Sequence, residues 1–231
     1  MQQTTRPTPE QIPLAFPVRV AQGREDFMVG TSNEAAVGWI DRWPDWSAPS
    51  FILSGPAASG KSHLAAVWQA RTGATAIPTE TLTTQSAEEI AAQGETLLLD
   101  GIDPWIGTRE AEETLFHLYN IFKEEQRTML LTMRSAPSHL DFTIPDLASR
   151  LRAAPHAVIM SPCETLLQNV IVKMFADRQI NIGADVLKYI LPRMERSFTA
   201  AKDIVTAADA LALSQKRPVT VPLIRDVLIN L

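Results

Sequence analysis

Between about residues 33 and 162, short fully apolar runs alternate with amphipathic stretches; beyond residue 162 only amphipathic stretches remain. Phe51-Ile52-Leu53, Leu97-Leu98-Leu99 and Met129-Leu130-Leu131 carry no polar residue. This is the pattern of parallel strands buried on both faces. Residues 75–77 and 157–160 read as two further strands. Helices are expected at 33–43, 60–71, 110–127 and 146–152. A shorter one is opened by Ser86-Ala87-Glu88-Glu89, which has the form of a capping box. Asn33 stands where its side-chain oxygen can cap the first helix. In the 110–127 helix, Leu115, Phe116, Leu118, Tyr119 and Phe122 form one apolar stripe. Strands alternating with helices at this spacing predict a parallel α/β sheet covered on both faces.

After Pro162 the strands stop. Helices are expected at 164–178, 185–196, 198–215 and 221–229, the last with Thr220 as its cap and Pro222 in its first turn. The first 17 residues hold Pro7, Pro9, Pro13 and Pro17 and show no periodicity, so an extended tail is expected there. The predicted organisation is a tail over 1–20, an α/β nucleotide-binding domain over 21–162 and a helical domain over 163–231.

Composition narrows the function classes. With 21 basic and 26 acidic residues the net charge is −5, which argues against a protein whose main work is wrapping DNA, since phosphate binding needs a surplus of Lys and Arg. A single cysteine, Cys163, excludes a disulfide framework and a multi-cysteine zinc site. No apolar run marks a signal peptide in the first 16 residues, and no stretch approaches the ~18 apolar residues of a spanning helix. The expectation is a cytoplasmic protein with no membrane partner.

The strongest chemical signal is Gly55-Pro56-Ala57-Ala58-Ser59-Gly60-Lys61-Ser62, which matches the phosphate-loop pattern between an expected strand and an expected helix. Its backbone N–H groups would cradle phosphate, Lys61 would supply charge to the β- and γ-phosphates, and Ser62 would offer its hydroxyl to Mg²⁺. Asp100, ending the 97–99 run, is the second candidate for the Mg²⁺ shell. Many ATPases of this class place another carboxylate directly after that aspartate to orient water. Here the residue is Gly101, with Asp103 two positions further on. Weak intrinsic hydrolysis is therefore expected.

These residues carry a family resemblance. GPAASGKSHL, residues 55–64 and including His63, resembles the phosphate loop of DnaA-type AAA+ proteins. Residues 26–33 resemble the segment that lies against adenine in that family, which implies adenine contacts for Phe27 and Val29. Residues 146–151, DLASRL, resemble the box that carries the family's arginine finger, which implies that role in trans for Arg150; Arg152 is the neighbouring candidate for a structural arginine. Residues 193–228 are similar to the lid of the Hda group, DnaA-like proteins that inactivate the replication initiator. LFHLYN at 115–120, LASRLRAAP at 147–155 and FADRQ at 175–179 are closest to the alphaproteobacterial HdaA-like branch. No helix-turn-helix segment for reading DNA is expected after the lid. The chain departs from the family at two sensor regions. Thr132 to Arg134 occupy the strand-end position usually held by Asn or Asp. At the lid position, Thr199 or Ala200 stands where an arginine is usual, flanked by Arg196 and Lys202.

Gln11-Ile12-Pro13-Leu14-Ala15-Phe16 resembles the Q-x-x-L-x-F peptide that enters the groove of a sliding clamp. Gln11 would bond the rim while Leu14 and Phe16 fill an apolar pocket. The resemblance thus implies an ADP- or ATP-holding negative regulator of replication initiation, with Mg²⁺ as cofactor. Its partners would be the DnaA initiator and the β subunit of the DNA polymerase clamp, and a homodimer is left open. A helicase-loader-like ATPase and a non-catalytic AAA+ adaptor remain as alternatives.

Overall fold

The computed structural model describes residues 29–231; the clamp-type peptide with Gln11, Leu14 and Phe16, and also Phe27, lie outside the described residues. Five strands form one parallel sheet: β1 (Ser50–Ser54), β2 (Thr75–Ala76), β3 (Thr96–Leu99), β4 (Thr128–Met133) and β5 (His156–Val158). Their order is β2-β3-β4-β1-β5. Because every pairing is parallel, the carboxyl ends of β3, β4 and β1 lie side by side along one edge, the edge where ligands of such sheets bind.

The all-apolar runs serve two cores. Ile52, Leu97, Leu99, Met129 and Leu131 point to one face, and Phe51, Leu53, Leu98 and Leu130 to the other. That is the period-two alternation of a strand covered on both sides. The first face is covered by α3 (Ala87–Ala91), α4 (Arg109–Glu124) and α5 (Pro145–Ala153). The second is covered by α1 (Glu34–Asp41) and α2 (Lys61–Thr72), with Trp46 against Phe51 (5.1 Å between centroids) and Trp68 (5.5 Å). The remaining helices, α6 (Glu164–Ala176), α7 (Ala184–Ile190), α8 (Phe198–Gln215) and α9 (Val221–Asn230), share a third core around Ile171, Phe175, Ile190, Val205 and Ile224. Among the described residues no helix is long and apolar enough to cross a membrane.

Several local expectations are corrected by the structure. Asn33 stands at the N-cap position of α1 without capping it; its Oδ1 turns back and accepts the Gly30 N–H (2.8 Å). Thr220 likewise precedes α9 without a side-chain cap bond. The capping box of α3 does form, with Glu89 N–H donating to Ser86 Oγ (3.2 Å) and Ser86 N–H to Glu89 Oε2 (2.8 Å). Helix α7 ends at Ile190, six residues before the expected 196. Pro192 has no N–H for the carbonyl four residues back, and the chain closes instead with Arg193 N–H on Ile190 O (2.9 Å). On α4, Leu115, Leu118, Tyr119 and Phe122 are buried, whereas Phe116 stays half-buried at the edge of the stripe.

Candidate nucleotide site and arginine finger

The phosphate loop runs from the end of β1 into α2. At Gly55 there is no room for a side chain: a Cβ would stand 2.1 Å from the Ile159 carbonyl oxygen. Lys61 Nζ folds back over the loop and donates to the carbonyls of Gly55 (2.7 Å) and Pro56 (2.8 Å). Burial lowers the pKa of this ammonium; Asp103 and Asp100 oppose the shift and Arg134 adds to it. Ser62 and His63 are exposed in the first turn of α2, and the buried Ser59 hydroxyl has no partner. A cation, an orphaned hydroxyl and the N-terminal end of a helix of 12 residues form a donor set that suits phosphate.

Asp100 follows β3, and its position is fixed from β4. The Thr132 hydroxyl donates to Asp100 Oδ1 and accepts the Gly101 N–H (2.8 Å), while the Thr132 carbonyl accepts Gly101 N–H (3.2 Å) and Ile102 N–H (3.0 Å). Thr132 is fully buried, so its place in the site is that of a bracket for Asp100. Asp100 and Ser62 are the protein groups available to a phosphate-bound Mg²⁺. Among the described residues there is no cluster of three or more His, Cys, Asp or Glu to hold a metal without phosphate. Asp103 Oδ1 accepts the backbone N–H groups of Arg134 (2.6 Å) and Ser135 (3.4 Å), so it is engaged in shaping the β4 exit rather than projecting freely toward water.

Gly101 explains part of the missing second carboxylate. Its φ is +83°, and a Cβ there would meet nothing within 4 Å. Space is ample, but the backbone sits in a region that L side chains avoid. Gly101→Glu is therefore expected to cost about 1–2 kcal/mol of stability without raising basal ATP turnover. Unfolding curves paired with a phosphate-release assay check this, and a stable, fast-hydrolysing variant would show that the turn relaxes freely.

The two arginines of α5 separate cleanly. Arg152 is tied to the fold, with Nε donating to Pro137 O (3.3 Å) and Nη2 to Leu140 O (3.2 Å). Arg150 forms no ion pair or hydrogen bond among the described residues. Its guanidinium lies over Phe116 (4.5 Å) and Tyr119 (5.3 Å) of α4, and its buried Nη1 has no acceptor. Its contacts are thus with α4, not with the phosphate loop.

The lid position is as poor in charge as its sequence. Thr199 is exposed in the first turn of α8, Ser197 caps that helix by accepting Ala200 N–H (3.1 Å), and Arg196 is drawn to Glu164 (3.7 Å). What α8 brings is Phe198, whose N–H donates to Ala58 O (3.3 Å) and whose ring faces Gly60. At the start of the described residues, Val29 is 49% exposed and the next residue, Gly30, packs on Leu166. Met160, 60% exposed, reaches the same segment through its N–H on Ser32 O (3.0 Å). In the sequence it stands only as the last residue of the expected 157–160 strand.

A second residue invisible to pattern reading is Glu112. It is fully buried on α4 and accepts from Gly107 N–H (2.7 Å), Thr143 Oγ1 (2.8 Å) and Ile144 N–H (2.8 Å). It thereby holds the residues that lead into α5. Burial raises its pKa, but these hydrogen bonds outweigh that and leave it below the ordinary 4.5.

Comparison with known proteins fits this geometry. The Hda lid domain family matches residues 168–228. Domain III of the Thermotoga maritima replication initiation protein DnaA superposes with a TM-score of 0.79 at 16% identity, over 93% of this chain and 98% of that one. Residues 168–228 are thus similar to the Hda lid, and the chain as a whole has the fold of DnaA domain III. AMPPCP-bound DnaA from Aquifex aeolicus gives a TM-score of 0.66 at 18% identity, over 79% of this chain and 63% of that one. An uncharacterized protein of Haemophilus influenzae is 26% identical over 194 residues, 80% of this chain and 83% of its own. The expected fold class, a parallel α/β sheet of the AAA+ type with a helical lid region, thus holds.

Proposed function

We propose that this chain is a nucleotide-holding regulator that inactivates a DnaA-type initiator by supplying Arg150 to ATP bound on the initiator. The observation that carries the reading is the state of Arg150: a guanidinium shelved on two aromatic faces, with a buried Nη1 lacking an acceptor and no contact with its own phosphate loop. A partner's terminal phosphate would pair with this guanidinium, which no acidic group of the described residues neutralises. There the positive charge stabilises the charge that develops as the γ-phosphoryl group leaves, the action of an arginine finger.

The chain's own site plays the supporting part. Gly55 to Ser62 would hold the phosphates of ADP or ATP, Ser62 and Asp100 would face Mg²⁺, and Val29 with Phe27 would flank adenine. Bound Mg²⁺ would neutralise phosphate charge. The glycine at 101 fits a site that retains nucleotide as a structural ligand more than one that turns it over. Solved DnaA relatives include AMPPCP-bound forms, which supports an adenine nucleotide here.

The peptide from Gln11 to Phe16 would tether the regulator to the sliding clamp on DNA in the cytoplasm, so the clamp and not this acidic chain provides the contact with DNA. The test is turnover of initiator-bound ATP with and without DNA-loaded clamp. The wild type is expected to accelerate hydrolysis strongly only with loaded clamp. The double variant Gln11→Ala, Leu14→Ala is expected to lose that dependence and to bind clamp at least about tenfold more weakly, since two anchors of a short peptide carry most of its affinity. Unchanged clamp affinity in the double variant would remove the tether from the proposal.

A further inference from the structure

His156 takes no part in the nucleotide site or in any ion pair among the described residues, yet it holds the residue from which the phosphate loop starts. Its strand, β5, is three residues long, lies at the edge of the sheet and pairs only with β1. The register sets Ile52 beside His156 and Ser54 beside Val158. Backbone bonds close the two ends of the pairing, Ile52 N–H donating to Pro155 O (2.9 Å) and Ile159 N–H to Ser54 O (2.7 Å). Between them a side-chain hydrogen bond crosses the strands: Ser54 Oγ and His156 Nε2 are 2.7 Å apart, diagonal neighbours on one face. Ser54 is the last residue of β1 and is fully buried. The next residue is Gly55, whose missing side chain lets it lie against the Ile159 carbonyl. Beyond Ile159 the chain bonds to Ser32 through the Met160 N–H and enters α6 at Glu164. The short edge strand therefore joins the entrance of the phosphate loop to the segment before α1 and to the helical domain.

The surroundings of His156 favour its neutral form. Strand β5 packs chiefly against β1, which carries no charged residue, and α1. Helix α1 brings Glu34 and Asp41, but it covers the opposite face, where Ala157 and Ile159 point. On the face that His156 shares, α5 brings Asp146, Arg150 and Arg152; Arg150 lies on Phe116 and Tyr119, and Arg152 on the Pro137 and Leu140 carbonyls. The buried carboxylate of α4, Glu112, is taken by Gly107, Thr143 and Ile144. No charge thus answers an imidazolium, and burial alone pushes the ring below its ordinary pKa of 6.5. A neutral ring can accept the Ser54 hydroxyl at Nε2. A charged ring gains by turning to water, which is close, since His156 is only half-buried and Val158 on the same face is 48% exposed. It would leave behind a buried hydroxyl with no partner. On the reading that this site holds an adenine nucleotide, we infer that Ser54 and His156 form a proton-sensitive brace: the neutral pair holds the phosphate loop in its binding shape, and protonation of His156 releases the nucleotide. The brace acts at the loop entrance and not on the terminal phosphate, so diphosphate and triphosphate are affected alike.

The experiment is equilibrium titration of the full chain with fluorescent ADP and ATP analogues in Mg²⁺, from about pH 7.5 to about pH 5, for the wild type, His156→Gln, Ser54→Ala and Lys61→Ala. Binding that needs the neutral ring is unimpaired at neutral pH and is lost as pH falls below 6.5 through the lower value of the folded protein. The wild type is expected to lose about tenfold in affinity for both nucleotides over that range. His156→Gln gives Ser54 a partner that cannot be protonated; it is expected to bind like the wild type near neutral pH and to lose less than about threefold on acidification, the remainder due to the phosphates themselves. Ser54→Ala is expected to bind about threefold more weakly near neutral pH and to show the same flat profile. By linkage, ADP should lower the midpoint of the His156 ring-proton titration by about one pH unit, read by NMR with the resonance assigned from its absence in His156→Gln. Equal pH profiles for the wild type and His156→Gln, or a midpoint that ADP does not move, would overturn the brace. Should Lys61→Ala leave both affinities unchanged, the nucleotide site itself would be wrong and the brace would fall with it. A loss on Lys61→Ala combined with a flat wild-type profile would reject this inference alone.

Discussion

Arg150→Ala is expected to remove about 10³-fold or more of the acceleration of initiator-bound ATP hydrolysis, while leaving this chain's own nucleotide affinity and clamp binding intact. The magnitude is that of arginine fingers generally, about 10³–10⁵ in rate. The separation of effects follows from the geometry. Arg150 touches Phe116 and Tyr119 and nothing in the phosphate loop, so its loss does not disturb Lys61, Ser62 or Asp100. Two partly exposed cation–π contacts are worth about 0.5–1 kcal/mol each, so the variant remains folded. Arg150→Lys keeps the charge but loses the planar fork, and is expected to recover only a small part of the rate. Arg152→Ala makes the contrasting control. Arg152 donates to Pro137 and Leu140 carbonyls, so its removal loosens the segment before α5 and lowers stability. Single-turnover decay of ATP preloaded on the initiator measures the chemistry, and full stimulation by Arg150→Ala would end the proposal.

The fold was legible because its signals are local. Three fully apolar runs announced a sheet covered on both faces, and each alternates between the two cores as a strand must. The phosphate loop declared itself because backbone cradling of an anion needs glycines and a lysine at fixed spacing along one stretch of chain. Arg150 and Arg152, in contrast, are alike in sequence, and only tertiary packing distinguishes a tethered arginine from an unpartnered one. The bracket on Asp100 comes from Thr132, across two neighbouring strands, and spacing along the chain carries no trace of it. Asn33 shows the same limit at short range. It stands where a cap belongs, but the Gly30 N–H lies within its reach and wins the oxygen. Pro192 shows a readable signal outweighed by a longer pattern: apolar periodicity favoured a helix to 196, and one missing N–H ended it.

Glu112 should prove the most stability-determining charged residue of the α4–α5 face. Helix periodicity placed it simply among the acids of α4, yet its carboxylate is fully buried and collects three donors from two separate segments. Removing it takes the acceptor from the N–H groups of Gly107 and Ile144 and from the Thr143 hydroxyl, part-buried donors at the mouth of the segment that leads into α5. Glu112→Ala is expected to cost about 2–3 kcal/mol, and Glu112→Gln about 1–2 kcal/mol, because the amide offers one oxygen where two were used. The pH dependence separates charge from packing. The folded carboxyl has a pKa below 4.5, so below that value the unfolded chain takes up a proton at this residue before the folded protein does. The stabilisation from ionised Glu112 is therefore complete above pH 4.5 and is lost as pH falls through the lower, folded value. Glutamine does not titrate. The stability gap between wild type and Glu112→Gln should accordingly be constant near neutral pH and narrow on acidification below 4.5, read from urea midpoints across the range. A gap that stays constant through that window would mean that shape and not charge holds the approach to α5. A gap that closes would tie the helix bearing Arg150 to one ionised side chain on its neighbour.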